Sequence, residues 1–274
     1  MTGYTHVQQT HYAERSSTGR MKIQRTVEIG MRKQVFLLMA IEMMMISLAL
    51  SIPARAANEA EEVAKHLIDL VKIGRVVVLE YQDAINDDEK AEKGFTGEFM
   101  ADQVVERFKK RTKIDLRIPN VVPHANFYLA LIETEREVVD EAQPVINKQG
   151  VGFKGFSHSV FARRVGERFY MKTGVRIKVT GFSGRALNSK PDDFEQEVLR
   201  MFSDQRHPKG QNYVRNTLFN GRPVLRVIDP EYAGASCLNC HGGPKGERDI
   251  AGTKKEGWKE GDFAGAISLM IPLK

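Results

Sequence analysis

Between residues 58 and 86 apolar side chains recur at Val63, Leu67, Val71 and onward, the spacing of one helical face. A second long helix is expected over residues 127–147. Val175, Ile177 and Val179 then alternate with Arg176 and Lys178, the pattern of a half-buried strand. Pro191, followed by Asp192 and Asp193, opens a helix that runs to about Phe202. Proline presets the helical φ, and the acids complement the positive end of the helix dipole. Residues 213–218 and 223–228 flank Asn220-Gly221, the strongest short hairpin signal. A last strand is expected over residues 264–273. The pattern predicts an α+β fold, with helices first and mainly antiparallel strands after them.

The chain also repeats itself at an offset of 61 residues. Glu80, Gln82, Ile85 and Asn86 fall on Glu141, Gln143, Ile146 and Asn147. Lys93-Gly94-Phe95 falls on Lys154-Gly155-Phe156, and Val104, Glu106, Arg107, Phe108 and Thr112 fall on Val165, Glu167, Arg168, Phe169 and Thr173. The unit reads as a long helix ending at Gln-x-x-Ile-Asn, a turn at Lys-Gly-Phe, a shorter helix and a strand. Residues 76–116 should therefore match 137–177 in structure.

Residues 31–56 have the pattern of a secretory signal. Arg32 and Lys33 form a basic start, and residues 35–52 are apolar apart from Glu42 and two serines. Ala54-Arg55-Ala56 supplies the small residues that signal peptidase needs, which puts cleavage after Ala56. An uncleaved membrane anchor is the alternative. Met31 is a second candidate initiator after 30 polar residues without periodicity.

Charge adds little once that leader is set aside. Residues 1–56 hold seven basic and three acidic residues, so they carry +4 of the formal +6 and leave +2 on the rest. With no basic stripe interleaved with aromatics, nucleic acid is not an expected partner. Hydrophobic residues make up 42% of the chain, enough for an ordinary core.

The chemistry is concentrated in Cys237-Leu-Asn-Cys240-His241, which holds the only two cysteines. C-x-x-C-H is the attachment pattern of c-type haem. Two thiols three residues apart can each form a thioether with a haem vinyl group, and the adjacent imidazole is delivered to the iron as proximal ligand. Attachment of this kind follows export, so motif and leader agree. A zinc site needs two further ligands at short spacing, which the sequence does not offer. A thioredoxin-type pair would open a helix after an early strand, whereas this one lies in a Gly-rich stretch near residue 240.

A longer set of residues resembles a known family. The matching pieces are Gln143-Pro-Val-Ile-Asn147, Gly152-Phe-Lys-Gly-Phe156, Val160-Phe-Ala-Arg163 and Val175-Arg-Ile-Lys-Val-Thr180. They continue with Asn188-Ser-Lys-Pro-Asp-Asp-Phe-Glu195, Cys237-Leu-Asn-Cys-His-Gly242 and Gly261-Asp-Phe-Ala-Gly-Ala-Ile-Ser268. Over about residues 127–274 the chain is similar to the periplasmic c-type haem family with a PAS-like fold. That family is seen as Tll-type stand-alone haem proteins and as sensor domains of haem-containing chemotaxis receptors. The resemblance implies a five-stranded antiparallel PAS-like sheet with haem lodged against it, and a role in sensing or redox relay. Some members place a cysteine, as second axial ligand, directly before the helix glutamine. Here those positions hold Tyr81 and Ala142, so a thiolate ligand does not carry over.

The expected organisation is a leader over 1–56, a helical segment with a partial repeat over 57–126, and a PAS-like haem domain over 127–274. One covalently attached haem c is expected at Cys237 and Cys240, with His241 as its proximal ligand. Distal candidates are His158, Tyr81 and His124, with Met100, Met171, Met201 and Met270 as further sulfur donors. Arg185, Lys190 and Arg226 are candidate haem-propionate partners. The function expected is redox or small-ligand sensing, or electron relay, in the periplasm, through a redox or signalling partner protein. A small haem peroxidase is the alternative reading. Membrane contact is expected only through an uncleaved leader.

Overall fold

In the computed structural model the described residues are 58–118, 121–182, 185, 189–204 and 206–273; the expected leader lies outside them. Helix α1 covers residues 58–80. Its buried Ala64, Leu67, Val71, Gly74 and Val78 return every three or four residues, so one face enters the core. The helix expected to run unbroken to residue 86 is interrupted at Tyr81, and a short α2, Gln82–Asn86, follows. Helix α3, Gly97–Thr112, starts at Thr96, whose side chain accepts from Phe99 N at 3.1 Å. Helix α4 is Ala125–Ile146, and α5 is His158–Thr173, capped by Ser157. Among the described residues, no helix is long and apolar enough to cross a membrane.

The 61-residue offset recurs as a reciprocal set of hydrogen bonds. Gln82 Nε2 donates to Phe156 O at 3.1 Å, and Gln143 Nε2 donates to Phe95 O at 2.9 Å. Asn86 Oδ1 accepts from Lys154 N at 3.2 Å, while Asn147 Oδ1 accepts from Lys93 N at 3.3 Å. Each helix end thus secures the Lys-Gly-Phe turn of the other copy, the exchange expected across a two-fold axis. Equivalent residues meet near such an axis, and Gly74 and Glu135 do: a Cβ on Gly74 would lie 2.6 Å from Glu135 Oε1. Within the copies, Arg107 pairs with Glu80 and Arg168 with Glu141. The copies part after the second helix. Lys113 caps α3 at φ 66° just as Gly174 caps α5 at φ 74°, but Val175 then leads into strand β1, Arg176–Thr180, whereas Ile118 N donates back to Asp115 O in a turn. Among the described residues no strand follows α3, whereas the corresponding segment of the second copy, β1, pairs with β4.

Three further strands, β2 (Tyr213–Phe219), β3 (Arg222–Tyr232) and β4 (Phe263–Pro272), complete an antiparallel sheet of order β1-β4-β3-β2. Among the described residues the sheet has four strands rather than five. Asn220 and Gly221, at φ 50° and 74°, make the hairpin turn between β2 and β3. Side chains alternate across the sheet. Ile177, Leu225, Val227, Ile267, Leu269 and Ile271 join the large core under helices α1 and α3–α5. Ile228 and Ala266 face the other way, onto helix α6, Asp193–Ser203, through Val198, Leu199 and Phe202. Asp192 caps α6 in a reciprocal capping box with Glu195. The result is α+β: a four-stranded sheet with a helical layer on one face and a single helix on the other.

Candidate functional site

Past Tyr232 the chain leaves the sheet and enters a 3-10 turn, Ala235–Cys237, that runs into one turn of helix, α7, Leu238–His241. Helical backbone at Cys237 and Leu238 puts residues 237 and 240, three apart, on the same side of the turn. Both cysteines are free, half-buried thiols. Burial, reinforced by Asp249, pushes the Cys240 thiol up, the reverse of the lowered value that marks a reactive thiolate.

His241 is held on three sides by one tripeptide. Its Nδ1 lies 2.8 Å from Glu256 Oε2. Its ring stacks on Trp258, with centroids 4.3 Å apart and planes 7° from parallel. Its carbonyl accepts from Gly257 N and Trp258 N, both at 2.9 Å. Gly257 sits at φ +82°, and a Cβ there would come 2.9 Å from Lys245 Cβ, so the cradle needs glycine. Gly242 is equally constrained, since a Cβ would lie 2.5 Å from Leu238 O. An ionised carboxylate can only accept, so Nδ1 carries the ring proton and Nε2 is left with the lone pair. Burial pushes the His241 imidazole down against the opposing pull of Glu256, which keeps that lone pair free.

Arg185 joins this cradle to the motif. Its Nε and Nη2 donate to Glu256 Oε1 and Oε2 at 2.8 and 2.5 Å, and its Nη1 to Asp249 Oδ2 at 2.5 Å. Nη2 also reaches Cys240 O at 2.9 Å. Burial would raise Glu256, but Arg185 and His241 outweigh it and hold the carboxyl below its ordinary value. Asp249, buried, anchors its own loop by accepting from Ala251 N and Thr253 N at 2.9 and 2.8 Å.

Of the distal candidates, His158 is the one whose electrostatic surroundings include His241. It is the first residue of α5, at the position equivalent to Gly97 of the first copy. Burial, then Arg75, pushes it down to about 4, and the charges of Glu231 and His241 also reach it. Arg75 of α1 pairs with Glu231 of β3 at 2.5 Å in the same place. Tyr81 instead packs on Phe95 and Phe99, with ring centroids 5.6 and 4.9 Å away. His124 precedes α4 with its Nε2 3.9 Å from Glu59 Oε2. Met100 is buried in the helical core, Met270 is buried in the sheet, Met201 packs against the α6 cluster and Met171 is exposed. Arg226 is engaged with Asp192 and Glu195 and lies over the Phe194 ring, while Arg185 serves the cradle. Among the described residues, no group of three or more His, Cys, Asp or Glu side chains converges as a metal cage.

Glu256, Trp258 and Asp249 were not legible as site residues. The one signal was that the chain's single tryptophan lies in a Gly-rich loop instead of a periodic element.

No curated protein matches the chain. Among solved structures, the crystal structure of the cyanobacterial heme-protein Tll0287 aligns over 54% of this chain and 94% of its own, at 15% identity and a TM-score of 0.38. The model of the Tll0287-like family matches residues 53–272. That match spans well over half of the 274 residues, and the chain belongs to the Tll0287-like family.

Proposed function

We propose that this is an exported, periplasmic haem protein carrying one haem c, bound by thioethers from Cys237 and Cys240, with His241 as proximal iron ligand. Its work is redox or small-ligand sensing, or electron relay. The observation that carries the reading is His241 itself. Its Nδ1 is engaged by Glu256 and its ring is braced by Trp258, so Nε2 is left for a metal directly after two free thiols. That donor set fits the group: two thiols on one side of a turn for the vinyl carbons, and one imidazole nitrogen for the iron. The family takes its name from a protein described as a cyanobacterial heme-protein, which agrees with this reading. Bound here, haem supplies a one-electron couple and a site for diatomic ligands. The chain's own residues fix the imidazole plane, hold its proton at Nδ1 and limit water around it.

Protein made with a haem-maturation system is expected to keep its colour through acid–acetone extraction, because thioethers survive it. Cys240→Ala should leave one covalent link and shift the pyridine haemochrome band. Colourless wild-type protein, from a host that matures other c-type cytochromes, would sink the reading. Export is tested separately: periplasmic protein should begin at Ala57, and recovery of full-length chain only in membranes would favour an anchor.

A second reading, a small haem peroxidase, has one observation in its favour. Burial pushes His158 down to about 4, it feels the charge of His241, and it is a candidate acid–base group. Steady oxidation of a simple reductant by hydrogen peroxide, lost in His158→Ala, would move the assignment to it. Sensing and electron transfer part on the sixth position. Prompt binding of carbon monoxide by the reduced protein is expected for sensing, and an unchanged spectrum under saturating gas argues for electron transfer.

A further inference from the structure

We infer that Glu256 is a positioning residue that sets the electronic character of His241, biasing the iron toward the ferric state. This rests on the reading of His241 as proximal ligand. A backbone carbonyl would fix the ring tautomer equally well, because any acceptor at Nδ1 suffices for that. What this chain puts there is a carboxylate, at 2.8 Å. A charged acceptor draws the Nδ1 proton more strongly and so makes Nε2 a stronger donor. A stronger donor favours the more positive metal ion.

The surroundings hold that charge in place. Arg185 is the cation that neutralises the group, and it faces two carboxylates, Glu256 and Asp249. One cation against two anions leaves a net unit of negative charge beside the imidazole. The Asp249 side chain is 1% exposed and the Glu256 side chain 21%, so water screens this charge poorly. Arg185 also holds Cys240 O, which locks the carboxylates in register with the motif turn. Trp258 fixes the ring plane, so the Nδ1–Glu256 bond cannot be lost by a ring flip without breaking a stacked contact.

The test is a spectroelectrochemical titration of haem-loaded wild-type protein and of Glu256→Gln, which keeps the shape and an acceptor but removes the charge. At a fixed ambient potential the variant's ferric-to-ferrous ratio should fall about tenfold, a rise of 59 mV for one electron. Glu247→Gln is the control. It deletes a carboxylate of the same loop that pairs with Lys255 and not with His241, and should move the ratio less than threefold. An unmoved potential in Glu256→Gln, or an equal shift in Glu247→Gln, overturns the inference. Should Glu256→Gln fail to mature, the cyanide adduct of the ferric wild type decides. Its proximal-imidazole proton resonances should sit where a carboxylate-bonded histidine places them, and carbonyl-like shifts overturn the inference. Wild type without thioether-bound haem defeats the proposed function itself. Intact haem with an unmoved potential defeats only the role of Glu256.

Discussion

Glu135 is fully buried in α4, and neither of its side-chain oxygens has a hydrogen-bond partner. Burial alone holds its carboxyl well above the ordinary 4.5, so it is carried in the fold as the neutral acid. It fits only because its counterpart in the other copy is Gly74, whose missing side chain leaves the space. An unpartnered buried polar group costs about 1–3 kcal/mol, and Glu135→Leu should stabilise the protein by that order. The pH dependence has a definite sign. The folded group keeps its proton above the pH at which the unfolded group releases it, so the penalty of burying it is smallest below about 4.5 and grows as pH rises from there through the raised folded value. Urea midpoints measured across that range should show the advantage of Glu135→Leu growing with pH. Parallel curves for wild type and variant would mean the carboxyl is not held neutral. Gly257→Ala, by contrast, should loosen the His241 cradle, since φ +82° and the contact with Lys245 both exclude a side chain. A loss of order at Trp258, read as a shift of its emission, is the expected signature.

Among the elements, the Gln-x-x-Ile-Asn and Lys-Gly-Phe matches were legible because they are local strings. What those strings do was not, because the partners lie in the other copy: Gln82 bonds Phe156 and Gln143 bonds Phe95. Each bond supplies one backbone carbonyl with a donor, so Gln82→Ala should cost about 0.5–1.5 kcal/mol. Gln143→Ala should cost more, because Gln143 Nε2 also donates to Val139 O at 3.0 Å and its Oε1 accepts from Asn147 Nδ2 at 3.0 Å. A cost at Gln82 equal to or larger than that at Gln143 would show that the two added bonds of Gln143 contribute nothing. The hairpin and α6 were readable for the same local reason, since Asn220-Gly221 and Pro191-Asp192-Asp193 encode their own backbone. The break at Tyr81 and the missing first-copy strand were not, because both depend on what packs or pairs alongside. The site divides in the same way. Cys237, Cys240 and His241 form one contiguous motif, whereas Glu256, Trp258 and Arg185 reach it only after the loop and sheet have folded.

For the molecule as a whole, the question is whether residues 57–126 form a unit apart from the rest. Helix α1 supplies Leu67, Leu70, Val77 and Val78 to the core that also takes in Leu225, Ile267 and Leu269 of the sheet. It is fastened to β3 by ion pairs, Lys72 with Asp229 and Arg75 with Glu231 at 2.5 Å. Glu231 is partly sheltered, and burial works to raise it, yet Arg75 prevails and keeps it an anion. Removing one member of such a pair leaves the other charge in a poor solvent, at a cost of about 3–5 kcal/mol when fully buried. At 15% and 20% side-chain exposure the effect of Glu231→Gln should fall below that range while still exceeding that of an exposed pair. The same shared core makes unfolding a single event. Far-UV circular dichroism follows the helices, and the emission of Trp258, the chain's single tryptophan, follows the His241 loop. In a denaturant titration the two should trace one coincident transition for residues 58–273, and Glu231→Gln should shift both together. A helical transition that precedes the Trp258 change, with Glu231→Gln moving only one of them, would make the first copy and α1 a separate domain.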